Sequence, residues 1–255
     1  MNCKQDKKEF EWLLREGFGG EKSEAFFSAA RRLALGEPLS YIIGWVNFLN
    51  CKIFLDSKPL IPRTETEYWT EKAIDSIKKY ISSNTAKTVK VLDLCAGSGC
   101  IGIAVAKNIS GASVDFSEID KKHVPLIKNN LIANKLPVEN YTIHNSDLFN
   151  NCRTVKYDFI LVNPPYIQEH FNHASDNVKK YEPYIALFGG NEGMEVIIKI
   201  IRHAAAFMKP QGQLWLEHDP HQSAKIKHLA RKNNFRHCHH YKDQYGIERY
   251  SVLML

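Results

Sequence analysis

Residues 90 to 102 read Lys90-Val91-Leu92-Asp93-Leu94-Cys95-Ala96-Gly97-Ser98-Gly99-Cys100-Ile101-Gly102 and carry the strongest indication of the fold. Its apolar first part predicts a buried strand, and the apolar residues after Gly99 predict a helix. Gly97 and Gly99 permit a tight turn between the two and let a ligand touch the backbone. The free N–H groups and the positive end of the helix face the same turn. A strand, a glycine turn and a helix in this order predict a site for a nucleotide-like ligand.

The sequence on the carboxyl side continues the alternation of strand and helix. Strands are predicted at 112–117, 142–145, 159–162 and 213–217, with two more near residues 235 and 251. Helices are predicted at 101–109, 122–134, 193–208 and 223–232. Such alternation is typical of an α/β fold in which helices cover both faces of a parallel sheet and the ligand site lies at the carboxyl ends of the strands.

The first sixty residues follow other patterns. Apolar residues at helical spacing predict two short helices that end at Gly17 and Gly36. Aromatic and β-branched residues then alternate around Asn50, which predicts a β-hairpin. The next segment opens a further helix, in which Thr64 and Glu67 have the spacing of a capping box.

Composition and charge exclude several classes of protein. Of the 255 residues, 44% are hydrophobic and 24% charged, which allows one sizeable core and excludes disorder as the main state. The uncharged stretch 38–51 is shorter than the roughly 20 apolar residues that a bilayer requires, and no secretory signal is recognised, so we expect a cytoplasmic protein. The net charge of +6 is concentrated in residues 199–249, with ten basic against four acidic side chains. A solvated helix surface is favoured there over a nucleic-acid face.

The cysteines and histidines indicate no metal. The six cysteines show no C-x-x-C spacing, which indicates reduced thiols rather than a disulfide or zinc framework. His237 and His239 share a face of a predicted strand, next to Cys238 and His240, but no second pair stands at ligand spacing. We therefore expect no metal site and interpret these histidines as polar surface.

Two interpretations of the glycine turn are open at this point. Gly97, Gly99 and Gly102, with Glu118 about 20 residues further on, fit the pattern of a dinucleotide-binding site. Glu118 follows the next predicted strand, where a carboxylate can accept hydrogen bonds from both hydroxyls of a ribose. Asp93, four residues before Gly97, suits a ligand with a cationic amino group, which favours S-adenosylmethionine over a nicotinamide cofactor.

A second motif, Asn163-Pro164-Pro165-Tyr166, directly follows an apolar strand. The prolines restrict the backbone and leave carbonyl groups that no local N–H can claim. Asn163 adds a side-chain oxygen, and Tyr166 adds an aromatic face and a hydroxyl. A planar nitrogen with two hydrogens, as in an amide or an exocyclic amine, would find two acceptors and an aromatic wall here. The motif therefore predicts a site for such a nitrogen.

Beyond residue 30 the chain resembles the release-factor glutamine methyltransferases, the HemK/PrmC family. The resemblance is carried by the two motifs above, by Ser146-Asp147-Leu148-Phe149, and by three further segments: Gly36-Glu37-Pro38-Leu39-Ser40-Tyr41-Ile42-Ile43-Gly44, Leu60-Ile61-Pro62-Arg63-Thr64-Glu65-Thr66-Glu67 and Gly189-Gly190-Asn191-Glu192-Gly193. It implies a Rossmann-like class I methyltransferase sheet that uses S-adenosylmethionine. The implied reaction is methylation of the side-chain amide of the glutamine in the Gly-Gly-Gln motif of peptide chain release factors. The implied domains are a shortened helical substrate-recognition domain at 1–44, a β-hairpin linker at 45–61 and the methyltransferase domain at 62–255.

Carried over by position, the resemblance also implies the site residues. The implied cofactor-binding residues are Asp93, Cys95, Ala96, Gly97, Ser98, Gly99, Glu118, Asp147, Leu148 and Asn163. The implied substrate-binding residues are Asn163, Pro164, Pro165 and Tyr166, of which Asn163, Pro164 and Tyr166 are expected to be catalytic.

Four departures from the family are visible. Cys95 replaces the usual first glycine of the loop, so its side chain must turn away from the cofactor. Glu118 stands for the usual aspartate, and Thr64 replaces a proline. The helical domain is shorter than usual, and we expect a reduced helical pair, with Phe26, Phe27 and Leu33, beside the mouth of the site.

The expected partners are release factors, and we expect a monomer that needs neither nucleic acid nor membrane. Three alternatives remain beside this interpretation. One is methylation of an adenine or guanine amino group in nucleic acid, another is a non-catalytic cofactor-binding scaffold, and the third is a nicotinamide-dependent dehydrogenase.

Overall fold

A computed structural model describes residues 3–84, 88–152, 155–169 and 176–255, without the side chains of residues 3–6 and 176. The amino-terminal part contains α1 (Cys3–Trp12), continued by a π-helical turn (Leu13–Gly17), then α2 (Glu24–Ala34) and α3 (Leu39–Ile43). The sequence patterns predict the first two helices and miss α3, because five residues are too few to show a helical period. These helices enclose a small apolar cluster of their own, centred on the fully buried Leu13 and Phe26, and Phe27 stays half exposed at its edge.

A β-hairpin follows, formed by β1 (Trp45–Phe48) and β2 (Cys51–Phe54). Leu49 and Asn50 join the strands, both with positive φ, which is the geometry of the commonest two-residue hairpin turns. The predicted hairpin around Asn50 is confirmed. Its buried side chains, among them Phe48 and Ile53, belong to the main apolar core, so the hairpin packs directly on the α/β part of the chain.

The remaining chain forms a seven-stranded sheet with helices on both faces. In chain order the elements are α4 (Thr64–Ser83), β3 (Val89–Leu94), α5 (Cys100–Asn108), β4 (Ala112–Glu118), α6 (His123–Ala133), β5 (Tyr141–Asn145), β6 (Tyr157–Val162), α7 (Asp176–Tyr181), α8 (Tyr184–Leu187), α9 (Glu195–Phe207), β7 (Met208–Glu217), α10 (Ser223–Lys232), β8 (His237–Lys242) and β9 (Glu248–Met254). The strand order is β5-β4-β3-β6-β7-β9-β8.

The sheet confirms the predicted α/β class, with one difference. The strands from β5 to β7 are parallel, whereas β9 is antiparallel to both β7 and β8. The reason is that β8 and β9 are joined by a tight turn, which reverses the chain and inserts β9 between β7 and β8. This order also differs from the six parallel strands of the dinucleotide-binding fold.

Alternate side chains of the central strands enter two separate core clusters, one on each face of the sheet. On β6, for example, Phe159 belongs to the cluster beneath α4 and α5, and Ile160 belongs to the cluster beneath α9 and α10. Burial on both faces explains why these strands are nearly continuous apolar runs. Within the described ranges, none of the helices combines the length and the apolar composition that crossing a bilayer requires.

Two local predictions need comment. The predicted capping box of α4 is wrong: Arg63 occupies the capping position without a side-chain bond, and the Glu67 carboxylate instead accepts a hydrogen bond of 2.6 Å from the Leu49 N–H in the hairpin. The cysteines at 51, 95, 100, 152 and 238 are free thiols, while the side chain of Cys3 lies outside the described residues.

Candidate active site

A cavity opens at the carboxyl edge of the sheet, where the chain leaves β3, β4, β5 and β6. The order of strands reverses between β3 and β6, and such a switch point is where ligands bind in open α/β sheets. Seven of the residues predicted from the sequence line this cavity, namely Cys95, Gly97, Glu118, Asp147, Leu148, Asn163 and Pro165. We call it the β3–β6 cavity.

The three glycines after β3 serve two different purposes. At Gly97, with φ of 55°, an added Cβ would meet nothing within 4 Å, so the backbone there borders open space that a ligand can approach. At Gly99 an added Cβ would lie 3.1 Å from Ile127, and at Gly102 it would lie 2.4 Å from the ring of Phe116. Gly97 therefore makes room for a ligand, whereas Gly102 allows α5 to pack closely on β4.

Asp93 lies behind the glycine turn and does not line the β3–β6 cavity. Its side chain is fully buried, its Oδ2 accepts a hydrogen bond of 2.8 Å from the Gly102 N–H, and its Oδ1 has no partner among the described residues. Burial raises the pKa of Asp93 well above its ordinary value. The Oδ2 hydrogen bond holds the glycine turn against α5, and contact of Asp93 with a cofactor stays a prediction. Three more of the predicted cofactor-binding residues do not line the β3–β6 cavity, namely Ala96, Ser98 and Gly99.

Glu118 joins the end of β4 to the glycine turn. One carboxylate oxygen accepts a hydrogen bond of 2.7 Å from the Gly97 N–H, and the other accepts one of 2.8 Å from the Asp120 N–H. Burial raises the pKa of Glu118 above 4.5, and these N–H donors oppose the rise. The carboxylate therefore both fixes the turn and lines the cavity with an acceptor.

Cys95 and Leu148 are strained positions in the cavity wall. Both have positive φ, 59° and 48°, although neither is glycine. Leu148 is held by its carbonyl oxygen, which accepts hydrogen bonds from the hydroxyls of Ser117 and Ser146. The Cys95 side chain packs against the core cluster beneath α9, although the residue also lines the cavity. Burial, followed by nearby acids of which Glu118 is the strongest, raises the pKa of the Cys95 thiol well above its ordinary value.

The Asn163 to Tyr166 motif stands at the end of β6 and borders a second cavity. This second cavity is lined by Arg63, Pro164 and Tyr166 among others, and Asn163 lines both it and the β3–β6 cavity. In the described part of the chain, no N–H donates to the Pro164 carbonyl. The structure thus places Asn163 at the junction of two cavities, with an acceptor beside it.

The segment from Gly189 to Gly193 supports the backbone of this motif. An added Cβ at Gly189 would lie 2.4 Å from the Pro165 carbonyl oxygen, and one at Gly193 would overlap the Tyr166 carbonyl. The Gln222 amide donates hydrogen bonds to the Tyr166 carbonyl at 2.9 Å and to the Gly193 carbonyl at 3.1 Å. The close approach of the carbonyl groups explains why glycine is required at positions 189 and 193, and the Gln222 hydrogen bonds hold the two segments together.

A buried carboxylate lies behind the motif. Glu217, at the end of β7 and 1% exposed, accepts hydrogen bonds from Thr66 at 2.7 Å, from the Trp69 indole at 2.6 Å and from the Tyr166 hydroxyl at 3.0 Å. The Thr66 hydroxyl in turn accepts a hydrogen bond of 3.1 Å from the Asn163 side-chain N–H. Burial raises the pKa of Glu217, although its three donors oppose that rise. Burial likewise raises the pKa of Tyr166, with the Glu217 charge as the second cause.

Sequence reasoning missed several residues of the two cavities. His123 at the start of α6 lines the β3–β6 cavity; its Nδ1 is 2.7 Å from the Ser57 hydroxyl, and burial lowers its pKa to about 4. Lys199 reaches the same cavity from α9. Position after a predicted strand end could have indicated His123, but nothing in the local pattern marks Lys199. Glu217, which lies behind the cavities, ends the predicted strand 213–217, and that position could have indicated it.

Comparisons with known proteins agree with this geometry. The family model described as methyltransferase small domain matches residues 63–180. The curated release factor glutamine methyltransferase of Thermodesulfovibrio yellowstonii is 32% identical over 234 residues, which are 91% of this chain and 82% of that protein.

Two solved structures show the same fold. A human methyltransferase 10 domain containing protein gives a TM-score of 0.57 at 17% identity, and the match covers 99% of this chain and 99% of that one. The T. thermophilus 16S rRNA N2 G1207 methyltransferase, solved with AdoMet and guanosine, gives a TM-score of 0.52 at 19% identity over 82% of this chain and 48% of that one. At these identities the likeness concerns the fold alone, and that fold is the class I methyltransferase sheet.

Proposed function

The chain belongs to the release factor glutamine methyltransferase family, and from this premise we propose that it methylates the glutamine side chain in the Gly-Gly-Gln motif of peptide chain release factors. The observation that carries the proposal is the position of Asn163 at the junction of two cavities. One cavity suits a methyl donor, and the other suits an inserted side chain. A reaction between two bound molecules requires such a meeting point.

S-adenosylmethionine is the methyl donor of this class of enzyme, and the residues of the β3–β6 cavity fit it. The open space before Gly97 admits a ligand close to the backbone, and the Glu118 carboxylate offers acceptors for ribose hydroxyls. Asp147 and Leu148 line the same cavity from the end of β5. When bound, S-adenosylmethionine supplies an electrophilic methyl group on its sulfonium.

The second cavity provides the groups that a glutamine amide needs. An amide nitrogen is a poor nucleophile because its lone pair is shared with the carbonyl, so the protein must orient it. The Asn163 Oδ1 and the Pro164 carbonyl oxygen each accept a hydrogen bond from one N–H of the substrate amide, and Tyr166 packs on the plane of that amide. Orientation of this kind lowers a barrier by roughly 7–11 kcal/mol. The methylated nitrogen is acidic and releases its proton to solvent, so no dedicated base is needed.

The direct test is incubation of the protein with labelled S-adenosylmethionine and a purified release factor. Mass spectrometry should find one added methyl group on the glutamine of the Gly-Gly-Gln peptide. A release factor with that glutamine replaced should accept no label. Label on adenine or guanine of added nucleic acid, with an unmodified release factor, would replace the proposal by the nucleic-acid alternative.

The role of Asn163 has its own test. Asn163→Ala should lose most of the turnover, by about 100-fold, because the substrate amide loses an acceptor that orients it. Cofactor binding, measured by titration calorimetry, should remain. Asn129→Ala, the same change on the exposed face of α6, is the matched control and should leave turnover unchanged. Near-normal turnover in Asn163→Ala would remove the residue from the mechanism.

The remaining assignments belong to the same proposal. The division into a helical domain at 1–44, a hairpin at 45–61 and a methyltransferase domain at 62–255 is supported by the separate apolar cluster of the first helices. A cytoplasmic monomer that acts without nucleic acid fits an enzyme whose substrate is a translation factor. Size-exclusion chromatography and a nuclease-treated reaction test the last two points.

A further inference from the structure

The inference concerns the direction in which the Asn163 side chain points. An asparagine amide has one end that donates and one end that accepts, and rotation by half a turn exchanges them. Only the orientation with Oδ1 toward the second cavity can accept a substrate N–H. In the structure the Asn163 Nδ2 donates to the Thr66 hydroxyl at 3.1 Å, and no described donor reaches Oδ1.

The Thr66 hydroxyl has a single hydrogen, which is engaged elsewhere. It donates to the Glu217 carboxylate at 2.7 Å, and that same carboxylate oxygen also accepts from the Trp69 indole at 2.6 Å. Trp69, Thr66 and Tyr166 all donate to this carboxylate and favour its ionised form against the effect of burial. In that form it can only accept hydrogen bonds, so Thr66 has no hydrogen left for Asn163. Its oxygen therefore accepts from Asn163, and the reversed amide would place two acceptors against each other.

The same carboxylate also holds the other end of the motif. The second Glu217 oxygen accepts a hydrogen bond of 3.0 Å from the Tyr166 hydroxyl. Thr66 and Glu217 are 2% and 1% exposed, so water does not compete for these bonds. One buried acceptor at the end of β7 thus fixes both polar side chains of the motif from behind.

We propose that Glu217, acting through Thr66, is a positioning residue of the methyl transfer that sets the orientation of the Asn163 amide and thereby directs Oδ1 to the substrate nitrogen. The proposal rests on the proposed function for the identity of that nitrogen. Neither residue touches the substrate. Both act by removing the alternative orientation of a residue that does.

The test compares two substitutions at Thr66. Thr66→Val keeps the branched shape and the volume but removes the hydroxyl, whereas Thr66→Ser keeps the hydroxyl and removes a methyl group. We expect kcat to fall by about 10- to 100-fold in Thr66→Val, with an unchanged dissociation constant for S-adenosylhomocysteine. Thr66→Ser should retain most of the wild-type kcat. If Thr66 only filled space at this buried site, the order would be reversed, because serine leaves a gap and valine does not.

A second readout does not depend on the release factor. In ¹⁵N-labelled protein the Asn163 side-chain resonance is identified by its loss in Asn163→Ala. Its hydrogen-bonded proton should exchange with solvent slowly in the wild type and in Thr66→Ser, and faster in Thr66→Val. Urea unfolding of each variant shows that the fold is retained.

The outcomes separate the two proposals. Wild-type kcat in Thr66→Val, or an equal loss in Thr66→Ser, would overturn the positioning role. A wild-type protein that leaves the release factor unmethylated would overturn the proposed function instead. In that case the exchange rate of the Asn163 side-chain proton still tests the positioning role. Equal rates in the wild type and Thr66→Val would overturn that role as well. Slow exchange in the wild type and Thr66→Ser, with faster exchange in Thr66→Val, would support it.

Discussion

Removal of the Glu118 side chain should weaken both the glycine turn and cofactor binding. The carboxylate is 6% exposed and accepts two backbone hydrogen bonds, from Gly97 at 2.7 Å and from Asp120 at 2.8 Å. Hydrogen bonds to a charged group contribute about 1.5–3 kcal/mol each, so the two together set a ceiling of about 3–6 kcal/mol on the loss in Glu118→Ala. The loss should be smaller than this ceiling for two reasons. Water entering from the cavity can accept hydrogen bonds from the freed N–H groups, and the variant no longer has a charge whose burial costs free energy. We therefore expect a loss of about 1.5–3 kcal/mol in the free energy of unfolding.

Cofactor affinity should fall by a similar amount, because the ribose hydroxyls lose their acceptor. A loss of about 1.5–3 kcal/mol corresponds to roughly 10- to 150-fold in the dissociation constant. Titration calorimetry with S-adenosylhomocysteine measures the affinity, and urea unfolding measures the stability. Glu118→Gln is the matched control: its oxygen can replace one acceptor while its NH2 group faces the other N–H donor, so both losses should be intermediate. A dissociation constant in Glu118→Ala equal to that of the wild type would refute the reasoning.

The raised pKa of Glu118 also predicts how stability and cofactor affinity change with pH. The pKa of Glu118 in the folded protein lies above its usual 4.5, so the folded state binds this proton more tightly than the unfolded state does. Its contribution to stability is therefore complete below pH 4.5 and is lost as the pH rises through the raised pKa. Cofactor affinity should change in the opposite direction and rise over the same range, because the ionised carboxylate is the better acceptor. In Glu118→Gln both dependences should disappear.

Two further predictions concern stability. Gly102→Ala should destabilise the fold by about 1–3 kcal/mol, because the new Cβ would lie 2.4 Å from the buried Phe116 ring, and a urea midpoint equal to that of the wild type would contradict this. At Gly97 an added Cβ meets no neighbouring atom, but a φ of 55° costs an alanine roughly 1–2 kcal/mol, so Gly97→Ala should weaken both the fold and cofactor binding. His218, which directly follows β7, is fully buried, and its Nε2 lies 2.6 Å from the Ser251 hydroxyl. Burial lowers its pKa from 6.5 to about 4, so its contribution to stability is present above pH 6.5 and is lost as the pH falls toward 4. Urea unfolding at pH values from 6.5 down to 4 should show a loss on the order of 3 kcal/mol in the free energy of unfolding, and this loss should be smaller in His218→Gln. The same pH dependence of unfolding in His218→Gln and the wild type would show that His218 is not its source.

Much of the methyltransferase part could be predicted because its signals are local. The strand before Gly97 is an apolar run, and the motif at Asn163 carries two prolines whose restriction acts on neighbouring residues alone. The hairpin at Asn50 was predictable for the same reason, since a two-residue turn depends on its own φ angles. Short helices such as α3 and α8 were not predictable, because four or five residues do not show a period.

Asp93 and Glu67 show what local patterns do not reveal. The position of Asp93 before the glycine turn predicts a partner for a cationic ligand, and the structure shows in addition that its Oδ2 accepts a hydrogen bond from the Gly102 N–H. The spacing of Thr64 and Glu67 fits a capping box, yet the Glu67 carboxylate bonds to the hairpin at Leu49. In each case a backbone N–H from a neighbouring element in space supplied a partner that sequence spacing does not reveal.

Local backbone preferences specify the alternating strands and helices, the glycine turn and the rigid asparagine-proline motif, because each depends on a few neighbouring residues. The groups that lie behind the motif depend instead on how distant elements pack. Thr66 is 97 residues from Asn163 and 151 residues from Glu217, and the three meet because the first turn of α4 lies at the carboxyl ends of β6 and β7. Contacts over such separations follow from the order of strands in the sheet, which places side chains from distant parts of the chain within one hydrogen-bond length.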